Sequence, residues 1–356
     1  MTDVFLNRIA TATPGHDIHQ KFVDYAALHI KEDRKRAVFL RMAERSQIEH
    51  RYSFLPPHEE DGLMDRDGFY LPKAFPDTGT RMHRYKQDAF KLVRLALDRL
   101  EFDATEVTHL VVTTCTGFYA PGIDIDIINH YGMKPDVERS IIGFMGCYAA
   151  INGMKAAWNI VRSVPCAKVL VVNLELCTLH LQETEDLETL LSFLIFADGC
   201  SASLISKEPV GLELQSFYST ILPESSDQIT WHIGNQGFDM VLSGKVPLTV
   251  FSGISGCLNR ILGGIAISDI QYWAIHPGGR SILDAIRDAI ALPEKALEFS
   301  RDVLRHYGNM SSATIMFVLK EIMEDSSGSG PGCAMAFGPG VMAETMLFRK
   351  GSADGR

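Results

Sequence analysis

The 356-residue chain has no apolar run near the ~18 residues that a membrane span requires. Its opening, MTDVFLNRIATATPG, lacks the basic start and the long apolar core of a secretory signal. These absences predict a soluble, cytoplasmic protein. No Cys-x-x-Cys pair occurs, and the seven cysteines, at 115, 147, 166, 177, 200, 257 and 333, are odd in number and scattered. That pattern speaks against a disulfide framework or a zinc site and predicts reduced thiols without a metal. Basic residues are in the minority. With 34 Lys and Arg against 44 Asp and Glu, the net charge of -10 disfavours general nucleic-acid binding.

Hydrophobic residues make up 46% of the chain, enough for two domains or one large two-part unit with a buried core. Helical periodicity spans 17–48, 82–100, 148–163, 281–305 and 311–324, whereas short runs rich in Val, Ile and Thr predict buried strands at 109–117, 167–175 and 200–206. Alternating strands and helices define an α/β protein. The order also repeats. HLVVTTCTG and, some 30 residues on, Cys147 at a helix start are paralleled by YWAIHPGG and Asn309 at a helix start. VLVVNLE is then paralleled by CAMAFGPG, and CSASLISK by ETMLFRK, which predicts a duplication with halves at 1–205 and 206–356.

The stretch IIGFMGCYAA places Cys147 between a strand and an Ala-rich helix. A thiol there feels the positive end of the helix dipole and unpaired N–H groups, which favour thiolate, and Gly143 and Gly146 permit a sharp turn. WAIHPGGR puts His276 at a strand end before a Pro-Gly-Gly turn, and HYGNMSSA puts Asn309 at a second helix start. Each residue alone has an ordinary structural reading: a core cysteine, a core histidine, an N-cap. Together they suit acyl transfer through a thioester. Cys147 takes the acyl group, His276 withdraws its proton or stabilises the thiolate, and His276 and Asn309 donate to a carbonyl oxygen that becomes an enolate. Arg34, Arg41 and Arg45, at separations of seven and four, share a helix face suited to phosphates or simply to solvent. Asp124 and Asp126 lack a calcium-loop pattern and read as a solvated turn or helix start; ADGCSA around Asp198 and Gly199 reads as a turn.

GFMGCYAA, WAIHPGG, YGNMSSA and AFGPG, in this order and spacing, resemble the type III polyketide synthases, the chalcone synthase family within the thiolase superfamily, over essentially the whole chain. The resemblance implies a duplicated, layered αβαβα core, a homodimer in which the segment near Ala120 reaches the partner's cavity, acyl-CoA and malonyl-CoA as substrates, and no cofactor. It assigns Cys147, His276 and Asn309 to catalysis, Phe196 to the gate between CoA tunnel and cavity, and Arg41, Arg45 and Gly278 to CoA. Val38 stands where a third basic residue is usual, so Arg34 or Lys35 compensates. Gly338, Pro339 and Gly340 form the cyclisation loop. Cavity positions depart from the plant pattern at Cys115, Cys177, His180, Trp231 and Met240, while Ser311 is kept. Trp231 is expected to close part of an aromatic-starter cavity, with Cys115 and Met240 leaving apolar surface, as in the microbial branch that makes alkylpyrones or alkylresorcinols from fatty acyl starters. Three other readings stand beside this one: an initiating β-ketoacyl carrier-protein synthase, a cysteine hydrolase without the CGSCW context, and a non-enzymatic scaffold.

Overall fold

The computed structural model describes residues 3–351. The first run of elements is β1 (Phe5–Ala12), β2 (His16–Asp17), α1 (His19–His29), α2 (Asp33–Arg45), β3 (Tyr52–Ser53), α3 (Thr78–Leu97), β4 (His109–Thr114), α4 (Ile123–Tyr131), β5 (Glu138–Gly143), α5 (Ala149–Ser163), β6 (Val169–Leu176), α6 (Leu187–Ile195) and β7 (Asp198–Ser206). The second is β8 (Leu212–Ile221), β9 (Ile229–Gly234), β10 (Gly237–Leu242), α7 (Val246–Leu262), β11 (Tyr272–Ile275), α8 (Arg280–Ala289), α9 (Glu298–Tyr307), α10 (Thr314–Glu324), β12 (Gly330–Gly338) and β13 (Met342–Lys350).

Nine strands form one sheet in the order β11-β12-β13-β8-β1-β7-β6-β4-β5. Read outward from the β1–β8 junction, where only Phe5 with Glu213 and Leu6 with Leu212 pair, the halves match. Each takes two antiparallel steps and then a parallel one: β1-β7-β6-β4 on one side, β8-β13-β12-β11 on the other. Of the parallel strands, β4, β6 and β11 are buried on both faces along their whole length, which explains their largely apolar runs, whereas β5 is an exposed edge. Along β6, Val169 and Val171 face the central core while Leu170 and Val172 face an outer one beneath α3 and α4. Along β12, Ala334 and Ala336 face the same central core, and Cys333 and Met335 face the opposite outer one beneath α7 and α8. The central layer holds α5 and α10. Five layers result, alternating helix and sheet.

Two expectations fail here for the same reason. Asp198 is not in a turn: it opens β7, fully buried, where it accepts hydrogen bonds from Phe54 N at 3.0 Å, Thr178 N at 2.8 Å and Thr178 Oγ1 at 2.8 Å. Asp124 does stand at a helix start, in the first turn of α4, but it is not solvated: it is buried and paired with Arg139 at 2.6 Å. In both places tertiary partners satisfy a carboxylate that composition alone assigns to water.

Gly199, in β7, is a point of close approach between the sheet and the segment that enters α10. A Cβ there would stand 2.3 Å from Met310 Sδ, so the bare backbone admits the residue that follows Asn309. Gly199→Ala is therefore expected to destabilise the fold by about 1–3 kcal/mol through overpacking. Urea unfolding followed by circular dichroism checks this, and an unchanged midpoint would contradict it.

Candidate active site

Cys147 lies in a single 3-10 turn, Gly146–Tyr148, that leads into α5, and Asn309 stands just before the equivalent turn, Ser311–Ala313, that leads into α10. The two turns abut at the seam between the halves. Close backbone approach makes this geometry depend on small residues. Gly146 has φ 75° and its missing Cβ would lie 2.3 Å from Pro339; at Gly338 a Cβ would meet the Tyr148 ring at 2.8 Å. Phe144, at φ 58°, and Ser311, at φ 48°, take left-handed backbone without being glycine, so strain is concentrated beside both residues.

Asn309 is oriented without ambiguity. Its Oδ1 accepts from Ser311 N at 2.8 Å, which leaves its NH2 directed toward Gly278 O at 3.4 Å and Cys147 Sγ at 4.0 Å. Its main chain is equally fixed: Asn309 N donates to Ile195 O at 2.8 Å and Ala197 N donates to Asn309 O at 2.8 Å. Phe196 thus sits in a parallel bridge with Asn309. His276, just after β11, is 1% exposed, and among the described residues neither ring nitrogen has a partner. Burial pushes its imidazole down to about 3 and pushes the Cys147 thiol up to about 12, against the downward pull of Ser311 and Asn309. Here burial outweighs the helix start that predicted a ready thiolate, so taken singly both groups are neutral. Moving the thiol proton to the imidazole would leave opposite charges in an apolar enclosure, where their attraction is strongest.

A cavity with roughly 780 Å³ of atom-free space, its open mouth included, is lined by Cys147, His276, Asn309, Gly278 and Ser311 at one end. Cys115, Cys177, Phe196, Trp231 and Met240 form its walls, with Gly338 and Pro339 beside Cys147. Gly340, at φ 73°, lies behind them. Arg41 and Arg45 are outside the cavity on the exposed face of α2, as is Arg34, and among the described residues none of the three forms an ion pair. Lys35, by contrast, is paired with Glu32 at 2.6 Å. The C-terminal end of α2 reaches the start of α8, where Arg280 donates to Arg45 O at 3.2 Å.

His180 does not line the cavity, contrary to its expected place there. It is fully buried behind the wall, its Nε2 donating to Thr116 O at 2.7 Å and its Nδ1 accepting from Phe238 N at 3.0 Å. An imidazole is large enough to reach two main-chain partners where a smaller side chain would stay at the surface. Burial holds it neutral, near 3, as the acceptor role requires. Its ring stacks on Phe238 and meets Trp231 edge-on. Cys115 is also more than apolar surface, since Gly146 N donates to its Sγ at 2.9 Å and Trp231 Nε1 to its carbonyl at 2.8 Å.

Sequence reasoning missed Glu175, the one charged residue of β6. Fully buried, it accepts from Cys115 N at 3.0 Å, Thr116 Oγ1 at 3.0 Å and Ser312 Oγ at 2.6 Å, so it joins β6 to the turn beyond Asn309 and, through Cys115, whose Sγ accepts from Gly146 N, to the turn that holds Cys147. Burial raises its carboxyl to about 7, and its charge in turn raises Cys147. The signal was a carboxylate closing the run VLVVNLE.

Fold and site together define an acyl-transfer enzyme of the thiolase architecture. The sequence matches the N-terminal domain of chalcone and stilbene synthases over residues 3–209 and their C-terminal domain over 213–351. It is 32% identical to the alpha-pyrone synthesis polyketide synthase-like Pks18 of Mycobacterium tuberculosis, covering 98% of this chain and 91% of that one. Polyketide synthase 37 of Dictyostelium discoideum is 31% identical across 98% of this chain, which corresponds to 11% of that much longer protein. Among solved structures, PKS-I of the brown alga Ectocarpus siliculosus superposes with a TM-score of 0.88 at 28% identity, covering 98% of this chain and 99% of that one. The C-terminal type III polyketide synthase domain of Steely1 from Dictyostelium gives 0.88 at 25% identity, with the same coverage. The chain belongs to the chalcone and stilbene synthase family and is a type III polyketide synthase.

Replacing Glu175 by Gln keeps its shape and removes its charge. Iodoacetamide alkylation of Cys147 at pH 8, followed by peptide mass spectrometry, should then accelerate several-fold, because the thiol pKa falls and the thiolate fraction at fixed pH rises. His276→Ala should slow the same reaction at pH 7 by roughly tenfold and restore it above pH 9, since burial alone then governs the thiol. A native rate in either variant would contradict its assigned influence.

Proposed function

We propose that this enzyme extends a fatty acyl starter carried on Cys147 by iterative decarboxylative condensation with malonyl-CoA, and cyclises the product to an alkylpyrone or alkylresorcinol. The Cys147 proton passes to His276, and the thiolate attacks the acyl-CoA carbonyl. The tetrahedral intermediate expels CoA thiolate, which recovers that proton from the imidazolium. Malonyl-CoA then loses CO2, and the electron pair released becomes an enolate whose oxygen accepts hydrogen bonds from the Asn309 NH2 and the His276 N–H. The enolate carbon attacks the Cys147 thioester and displaces the thiolate, giving a CoA ester two carbons longer that reloads for the next round. Every group required is a side chain of this chain, and Arg41 and Arg45, free of acidic partners, suit the CoA phosphates.

The observation that carries the fatty-acyl reading is how the cavity wall uses its polar atoms. The indole N–H of Trp231 and the Sγ of Cys115 are hydrogen-bonded within the protein, as are both nitrogens of His180 behind the wall, so the wall offers mainly carbon and sulfur surface. Such a surface suits an alkyl chain and leaves a phenolic hydroxyl without a partner. The alpha-pyrone activity in the name of the 32%-identical mycobacterial relative supports the same product class. A homodimer with the segment near Ala120 at the partner's cavity, and action in the cytoplasm, complete the proposal.

Purified protein given malonyl-CoA with acetyl, hexanoyl, lauroyl, palmitoyl or 4-coumaroyl-CoA should yield tri- or tetraketide pyrones or resorcinols from the aliphatic starters by mass spectrometry, and none with Cys147→Ala. Efficient turnover of 4-coumaroyl-CoA alone would overturn the starter. Single extension, only with carrier-protein malonate, would favour an initiating fatty-acid synthase instead. Asn309→Ala should abolish malonyl-CoA decarboxylation while Cys147 remains alkylable. Trp231→Gly should admit 4-coumaroyl-CoA by removing the ring that narrows the wall, and an unchanged starter range would show that the ring does not set it.

A further inference from the structure

Beside the catalytic trio lies a guanidinium held in place almost entirely by main chain. Arg51 is 1% exposed and, among the described residues, forms no ion pair. Its Nη1 donates to the carbonyl of Phe193 at 2.9 Å and to that of Phe196, and its Nε donates to His19 Nδ1 at 3.0 Å. Burial and the adjacent Arg51 charge lower His19 to about 4, which keeps it a neutral acceptor. The Phe22 ring lies 5.0 Å from the guanidinium carbon. A buried cation without a counter-ion is costly, and an apolar side chain would fill the same space more cheaply. What an apolar chain lacks is a rigid planar donor set that binds two carbonyls through Nη1 and His19 through Nε at once.

The segment it grips is the one that holds Asn309. Ile195 O accepts from Asn309 N, Ala197 N donates to Asn309 O, and Arg51 binds the intervening Phe196 carbonyl from the other side. Gly308 makes room for this arrangement. At φ 66°, a Cβ there would lie 2.7 Å from Arg51 Cγ and 2.9 Å from Ile195 O. A second cavity of roughly 420 Å³ lies on the Arg51 side and shares Cys177, Phe193 and Phe196 with the catalytic cavity, so this segment is a partition with space on both faces. A partition without filled space behind it must be held by directed bonds.

We propose that Arg51 is a positioning residue that locks the partition Ile195–Ala197 against Asn309, so that the gate ring of Phe196 and the enolate-binding amide keep one geometry through successive extensions. The inference rests on the polyketide synthase chemistry proposed above for what Asn309 does. Arg51→Lys keeps the charge but not the fork, and Gly308→Ala disturbs the same contact from the opposite side. For each, hexanoyl loading on Cys147 is followed by intact mass, malonyl-CoA decarboxylation by kcat and KM, and folding by circular dichroism. Both variants should load within roughly twofold of the native rate, keep the malonyl-CoA KM, and lose about tenfold or more in decarboxylation kcat. Equal loss of loading and decarboxylation, or loss of the folded spectrum, would reduce Arg51 to a structural residue and overturn the inference. Native decarboxylation in both folded variants would overturn it alone, whereas a native enzyme that never decarboxylates malonyl-CoA would overturn it together with the proposed function.

Discussion

Everything at the site depends on two helices sharing one apolar core. α5 and α10 are buried between the sheets, and residues of both, including Ile151, Met154, Ile315 and Val318, belong to a single cluster that also takes side chains from β1, β6, β8 and β12. Because the helices are enclosed, their entry turns can neither fray nor turn outward, and they meet at the seam between the halves. One turn presents a thiol, and the residue before the other presents a carboxamide. Burial that secures the geometry also opposes ionisation, which is why an unpartnered imidazole facing the same cavity matters chemically.

Beneath the turns runs a seam of polar groups with no access to water. Thr113 Oγ1 donates to Asn173 Oδ1 at 2.7 Å, Asn173 donates to Ser201 at 2.9 Å, and Ser312 donates to Glu175 at 2.6 Å. These bonds cross from one strand to the next and up to the Asn309 turn, fixing register where hydrophobic contact alone would allow sliding. Two fully buried arginines follow a related logic on the outer side. Arg81 donates to the carbonyls of Pro76, Leu179 and Leu181, much as Arg51 does to those of Phe193 and Phe196. In each, a buried charge is spent on main-chain carbonyls at a helix end or in a connecting segment.

Much of this was legible in the sequence because local pattern and chemistry coincide. Apolar runs marked strands buried on both faces, and the motifs around Cys147, His276 and Asn309 marked where backbone turns sharply. The illegible part was set by contacts distant in sequence. Glu175 stands 137 residues from the serine it binds, and nothing in the local run VLVVNLE announces that partner. His180 was assigned to the cavity because its position was read without its size, whereas its ring turns back to bond main chain. Asp198 fits turn composition, yet the strands paired on either side of β7 and the amide donors Phe54 N and Thr178 N make it a strand start.

The self-satisfied wall formed by Trp231 and Cys115, with His180 behind it, has a further consequence for how products are measured out. A surface with few free hydrogen-bonding groups cannot recognise a particular intermediate by its ketones; it can only run out of room. Growth would then stop like a ruler marked in two-carbon divisions. Changes in side-chain volume smaller than one division leave the product untouched, and those that cross a division shift it whole, so graded substitutions along the wall should yield a staircase of products and not a continuum.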